Sequence, residues 1–200
     1  MDMLSSTRDL VLVTAPAIKP ITLSEAKAQL RVDGEDEDAL IARLIAVVTA
    51  YTDAQGALGQ AIITQTWGQW IGPNPTQSVP LKMGPLQSLV AVRYYDVDGV
   101  LQADNVANYN VYGTQFSSFV GPKTGFTWPK AETRPDAIKL EYQVGFGDAA
   151  SDVPDTIRHA LLLMLAHWYE NREETGFDEL STIPFGYEAL LNMHRSSWYG

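Results

Sequence analysis

The chain has 200 residues, near the upper end of what one hydrophobic core serves, so length alone excludes a large separate catalytic domain. Its 46% hydrophobic and 19% charged residues are those of a folded globular protein and exclude a disordered tail or a fibre. Twenty-four acidic against 14 basic residues give a net charge of -10, which disfavours wrapping nucleic acid by phosphate neutralisation. The absence of cysteine excludes disulfides, thiolate metal sites and cysteine nucleophiles.

No stretch approaches the roughly 20 apolar residues of a membrane span, and Met1 to Arg8 lacks the pattern of a signal peptide. A soluble chain not exported by the standard route is expected. Thr22-Leu23-Ser24-Glu25 is a capping box, so a first helix begins there and ends near Val32, entered through Pro20 from an extended arm. The acidic run Asp33, Glu35, Asp36, Glu37, Asp38 leads into a second helix, where acids suit the positive end of the dipole. That helix, Asp36 to Tyr51, carries an apolar stripe of Leu40, Ile41, Leu44, Val47, Val48 and Tyr51 until Gly56 and Gly59 stop it.

From Ala61 the pattern changes to short β-branched and aromatic segments separated by Pro, Gly, Asn and Asp. Strands are expected at 62–71, 89–96, 100–101, 109–112 and 137–144, making a small sheet or half-barrel, with Asp96-Val97-Asp98-Gly99 as a hairpin turn. After Gly145-Phe146-Gly147 a long helix follows, Pro154 to about Tyr169, with Ile157, Ala160, Leu161, Met164, Leu165 and Trp168 inward. Its stripe is wide enough for burial on more than one side. The apolar residues of the final segment, 177–200, suggest a docking tail dispensable for folding.

The expected fold is therefore α+β: a small helical bundle of two N-terminal helices plus one long C-terminal helix, an inserted antiparallel β region, and an extended C-terminal tail. It forms one domain over 1–200, with helical core at about 18–60 and 150–176, β insertion at about 61–145 and tail at about 177–200.

Chemistry-bearing motifs are sparse. His159 and His167 lie eight residues apart, roughly 12 Å along a helix, too far to share a metal. His167 and Glu170 have the spacing found in diiron bundles, but no second such motif exists. Asp96 to Gly99 lacks the later ligands of a calcium loop. No nucleophile elbow, Ser-x-x-Lys or phosphate-binding glycine loop occurs. No catalytic residue, metal or cofactor is expected, although a carboxylate pair among so many acids is not something sequence decides. The acidic run has two readings: a solvated helix-capping loop, or carboxylates ringing a channel that keep DNA sliding freely.

The run Ile21 to Val32 with its Gln29-Leu30-Arg31 step, followed by the acidic linker and Asp38 to Ile41, resembles the opening of the tailed-phage head-tail connector family. Gly59 to Trp67, Pro85 to Leu89 leading to Tyr94-Tyr95-Asp96, Val153-Pro154, and Tyr169 to Glu173 match in the same order, over roughly 18–195. The resemblance is to the larger branch, with a β insertion between the second and third main helices, and it covers connectors of gene transfer agents as well as of phages. It implies a structural adaptor of the virion, not an enzyme, made in the bacterial host cytoplasm. The adaptor would form a dodecameric ring of copies of itself under the portal protein, extend the DNA channel without sequence-specific binding, and receive the downstream tail connector or stopper protein; no membrane is involved.

By analogy of position, Tyr187, Leu190, Leu191, Trp198 and Tyr199 become candidates for portal docking. Leu40, Leu44, Val48, Leu161, Leu165 and Trp168 are candidates for core and subunit interface, and Asp33, Glu35, Asp36, Glu37 and Asp38 for facing the channel. The competing readings are a small hydrolase with a carboxylate pair and a DNA-packaging accessory factor.

Overall fold

The computed structural model describes residues 9–75, 77–114, 116–171 and 184–195. The fold is α+β, as expected, and divides into two compact units: Met1–Pro16 with Thr64–Gly145, and Ala17–Ile63 with Phe146–Gly200.

The second unit is helical. Its first helix, α1 (Leu23–Leu30), starts at the predicted box: the Thr22 side chain accepts from the Glu25 amide, and the Glu25 carboxylate accepts from the Thr22 amide at 2.8 Å. It ends at Arg31 in the left-handed region, φ 58°. α2 (Asp38–Thr52) and α3 (Asp155–Glu170) pack together, α1 lies against both, and a fourth helix, α4 (Phe185–Asn192), packs on α3.

The core of this unit joins Ile41, Ile45 and Val48 of α2 to Ile157, Leu161, Met164 and Leu165 of α3 and to Tyr187 and Leu191 of α4. Each large side chain taken out of water contributes roughly 1.5–3 kcal/mol before entropy is counted. The inward face of α2 also includes Thr49 and Thr52, which bury their hydroxyls by donating back to the Ile45 and Val48 carbonyls at 2.7 and 2.8 Å. Glu25 serves twice, pairing with Arg158 of α3 as well as capping α1. Lys27 of α1 meets Asp38 of α2 at 2.6 Å.

The first unit is all β. A five-stranded antiparallel sheet has the order β1-β2-β8-β4-β5, formed by β1 (Leu10–Thr14), β2 (Gln65–Ile71), β4 (Leu86–Tyr95), β5 (Leu101–Asp104) and β8 (Ile138–Val144). A three-stranded sheet has the order β3-β7-β6, from β3 (Val79–Leu81), β6 (Tyr109–Gly113) and β7 (Ser118–Pro122). Along β8, Ile138, Leu140, Tyr142 and Val144 are buried and the residues between them are not, the two-residue alternation of a half-buried strand. Both polar atoms of buried Gln69 are engaged: Oε1 accepts from the Lys82 amide at 2.9 Å and the Tyr142 hydroxyl at 3.0 Å, and Nε2 donates to the Pro80 carbonyl at 3.0 Å. Pro80 sits on β3, an edge strand, where a missing N–H costs no ladder bond.

Three strands exceed the expectation. β1 lies where only an extended arm was foreseen, and β3, with Pro80 at its centre, and β7, which ends in Gly121-Pro122, fall outside the expected strands. The segment Asp96 to Gly99 is the hairpin turn between β4 and β5: Asp96 accepts from the Asp98 and Val100 amides and from Gln102, and Gly99 supplies φ 76°. Those donors, led by the Gln102 side chain, hold the Asp96 carboxyl below its usual range.

Candidate functional site

The candidate docking residues separate by burial. Tyr187 and Leu191 have no accessible surface and belong to the helical core, and Leu190 packs half-buried against it. The expectation that Tyr187 and Leu191 reach out to a partner is corrected: the segment coils into α4, and a helix on a bundle must bury one face. Trp198 and Tyr199 lie outside the described residues.

The interface candidates separate likewise. Val48, Leu161 and Leu165 are interior, and so are not available to a neighbouring subunit. Leu40, Leu44 and Trp168 are half-buried, the last edge-on to Tyr51 with ring centroids 5.5 Å apart. The inward face of α2 is Ile41, Ile45, Val48, Thr49 and Thr52, rotated from the expected stripe, which leaves Val47 and Tyr51 at the surface.

Of the acids, Asp33, Glu35 and Asp36 are exposed. Glu37 accepts a hydrogen bond from the Tyr169 hydroxyl, and Asp38 is the partner of Lys27. The run thus splits into an open half and a half that fastens the start of α2 to α3 and α1.

α4 also has an outward face that the sequence reading missed. Phe185 is 88% exposed and Met193 62%, with Ala189 between them, so apolar residues at i, i+4 and i+8 face solvent opposite Tyr187 and Leu191. The four-residue spacing was visible in the sequence, but the inner residues, four apart as well, hid it.

His194, just past α4, has Nε2 2.6 Å from the Thr156 hydroxyl of α3 and its ring edge-on to Phe146; burial lowers its pKa. Among the described residues no group of three or more His, Asp or Glu is placed to hold a metal ion, and no helix is long and apolar enough to cross a membrane. An open groove of about 680 Å³ beside the three-stranded sheet is walled by Tyr112, Phe119, Phe126 and Lys123, with no carboxylate or histidine in its lining. It offers no acid–base pair for hydrolysis.

Residues 20–118 match the family model of phage gp6-like head-tail connector proteins. Among solved structures, the fold is similar to a chain of the neck of an empty gene transfer agent particle computed with C6 symmetry. The TM-score is 0.70 at 20% identity, covering 94% of this chain and 95% of that one. It is similar to a chain of the virion of a native gene transfer agent particle, with TM-score 0.70, 22% identity and the same coverage. A third similarity is to a chain of the neck of a native particle computed with C12 symmetry, with TM-score 0.67, 20% identity and 94% of each chain covered. No curated protein sequence matches the chain.

Proposed function

We propose a function from one premise: this chain belongs to the phage gp6-like head-tail connector family. It is a structural component of a virion or phage-like particle, working by assembly and not by turnover. The observation that carries the reading is the match of residues 20–118 to the connector model, in a chain whose fold follows neck components along almost its whole length. In the finer reading, copies close into a dodecameric ring under the portal, extend the DNA channel and receive the next tail component. The C6 and C12 symmetries of the similar necks support a ring.

Each copy in such a ring uses one surface against a different surface of its neighbour. The half-buried Leu40 and Leu44 lie on the flank of α2 and are offered to that contact. Residues beyond α4, with Trp198 and Tyr199, supply portal docking, aromatic anchors being apt hot spots. The exposed Asp33, Glu35 and Asp36 face the channel and repel the DNA backbone. The protein is made in the host cytoplasm and ends in the virion.

Light scattering on the purified chain, alone and mixed with its portal ring, tests the reading. A portal complex heavier by about a dozen subunits is expected, even from a monomeric chain, because the portal templates closure. No association in either condition overturns it. Removing 196–200 should abolish the portal complex while leaving the melting temperature unchanged; full binding by that truncation refutes the docking role of Trp198 and Tyr199.

A further inference from the structure

Two helix faces of the helical unit are apolar and uncovered. On α4, Phe185, Ala189 and Met193 form an outward ridge although the inner face of the same helix already fills the core. A helix apolar on both sides is the signature of one buried on both sides. On α2 a stripe flanking the core face carries exposed Ala42 and Ala50 with half-buried Ala46 between them, also at i, i+4 and i+8, and Val47 on the same side of the helix is 48% exposed. The one charged residue on that side is Arg43, whose guanidinium has no partner among the described residues.

We propose that these faces meet between copies: the Phe185–Ala189–Met193 ridge of one copy seats on the Ala42–Ala46–Ala50 stripe of the next. The inference rests on the ring reading and names its contact. Both stripes span eight residues, roughly 12 Å, so they match in length. Large side chains meet small ones, and ridges of four-residue spacing interlock at about -50°.

Area selects the occupant. Two stripes of this length bury on the order of 500 Å², well under the roughly 1,200 Å² of a stable pair. Such a contact does not hold a free dimer, but it suffices when repeated around a ring in which each copy is held on both sides. Because the two faces differ, the contact is heterologous and stops only on closure.

The natural absence of cysteine makes the test clean. Ala46 and Ala189 are the central members of their stripes, so they approach whichever way the helices run. Particles assembled with an Ala46→Cys/Ala189→Cys chain as the sole copy should give, after mild oxidation, a ladder of multimers on a non-reducing gel, and either single variant only monomer. A monomer band from particles that contain the double variant overturns the pairing, and so does a dimer from Ala189→Cys alone, which would place two α4 helices together. Absence of the wild-type chain from particles overturns the connector reading itself. As a second measurement, Phe185→Glu should leave the melting temperature unchanged yet be excluded from particles, and Val47→Glu should behave the same. Exclusion of Phe185→Glu with normal incorporation of Val47→Glu means that α4 faces another partner and overturns the pairing.

Discussion

The hydroxyls of Thr52 and Tyr187 lie 2.9 Å apart inside the helical core, so the phenol that α4 sends inward finds its partner on α2. Thr52 already donates its proton to the Val48 carbonyl, which makes Tyr187 the donor between them. Burial pushes the phenol up to about 12, keeping it neutral at ordinary pH. Tyr187→Phe keeps the ring and loses the bond, so it should cost about 1 kcal/mol in urea unfolding, against roughly 3–5 kcal/mol for Tyr187→Ala. Because the folded value lies above the ordinary 10.0, this group's contribution is complete below pH 10 and is lost as pH rises toward 12. Wild type should therefore lose stability over that window more steeply than Tyr187→Phe.

A truncation from Ile183 onward, which the sequence suggested would fold normally, is expected to fail. It removes Tyr187 and Leu191 from the core and strips the cover from α3, a loss on the order of 5 kcal/mol or more. Circular dichroism of the truncated chain should show reduced helicity and no sharp helical melting transition. A melting temperature equal to wild type would mean that α4 contributes nothing to the core.

The helical half of the fold was legible because its signals are local. Thr22 to Glu25 announces a helix start in four residues, and the α3 stripe from Ile157 to Leu165 predicted its buried face residue by residue. α2 misled because its core face includes Thr49 and Thr52, whose polarity is cancelled by backbone hydrogen bonds that sequence does not display. Its outer Val47 and Tyr51 look more apolar than those buried threonines. β3 escaped because edge position decides whether Pro80 is tolerated, and edges are set by pairing between distant segments. For the docking surface the region was legible and the face was not: Tyr187 and Leu191 are as apolar as Phe185 and Met193, and only packing decides which pair is inside.

Trp168 is half-buried, with its ring edge against Tyr51 at an interplanar angle of 73°. Replacing it by Ala removes that aromatic pair and part of a large contact area, but leaves a site open to water instead of a sealed cavity. The expected loss is about 2 kcal/mol, below the range for a fully buried Trp. Urea denaturation gives the value, and a loss above 4 kcal/mol would place Trp168 deeper in the core than its surface exposure indicates.

His194 links stability to acid. Its Nδ1 is buried without a partner among the described residues, and burial holds its pKa below the ordinary 6.5. A depressed folded value means that the contribution is present above the unfolded pKa and is lost as pH falls through the folded one. The wild-type melting temperature should fall between pH 7 and pH 5 by more than that of His194→Gln, which can still bond Thr156 but does not titrate. Equal slopes for the two proteins would show that His194 is not responsible.

Gly56 terminates α2 through close approach. The Ala57 and Leu58 amides donate to the Tyr51 and Thr52 carbonyls at 2.8 and 2.9 Å, folding the chain tightly back over the last turn. A Cβ on residue 56 would stand 2.1 Å from the Tyr51 carbonyl oxygen and 2.7 Å from its carbon. Both obstacles are backbone, so no rotamer change relieves the clash, and the turn must open at the expense of the two capping bonds. Gly56→Ala should therefore cost about 2–4 kcal/mol by urea denaturation, more than the roughly 1 kcal/mol expected for Gly59→Ala, where the cost is that of a positive φ of 69°. The larger penalty should also appear as faster amide exchange at residues 57 and 58, because their protection depends on the turn that the methyl group forces apart. Near-equal losses for the two variants would show that the loop after α2 shifts readily and that the close approach at Gly56 is not what ends the helix.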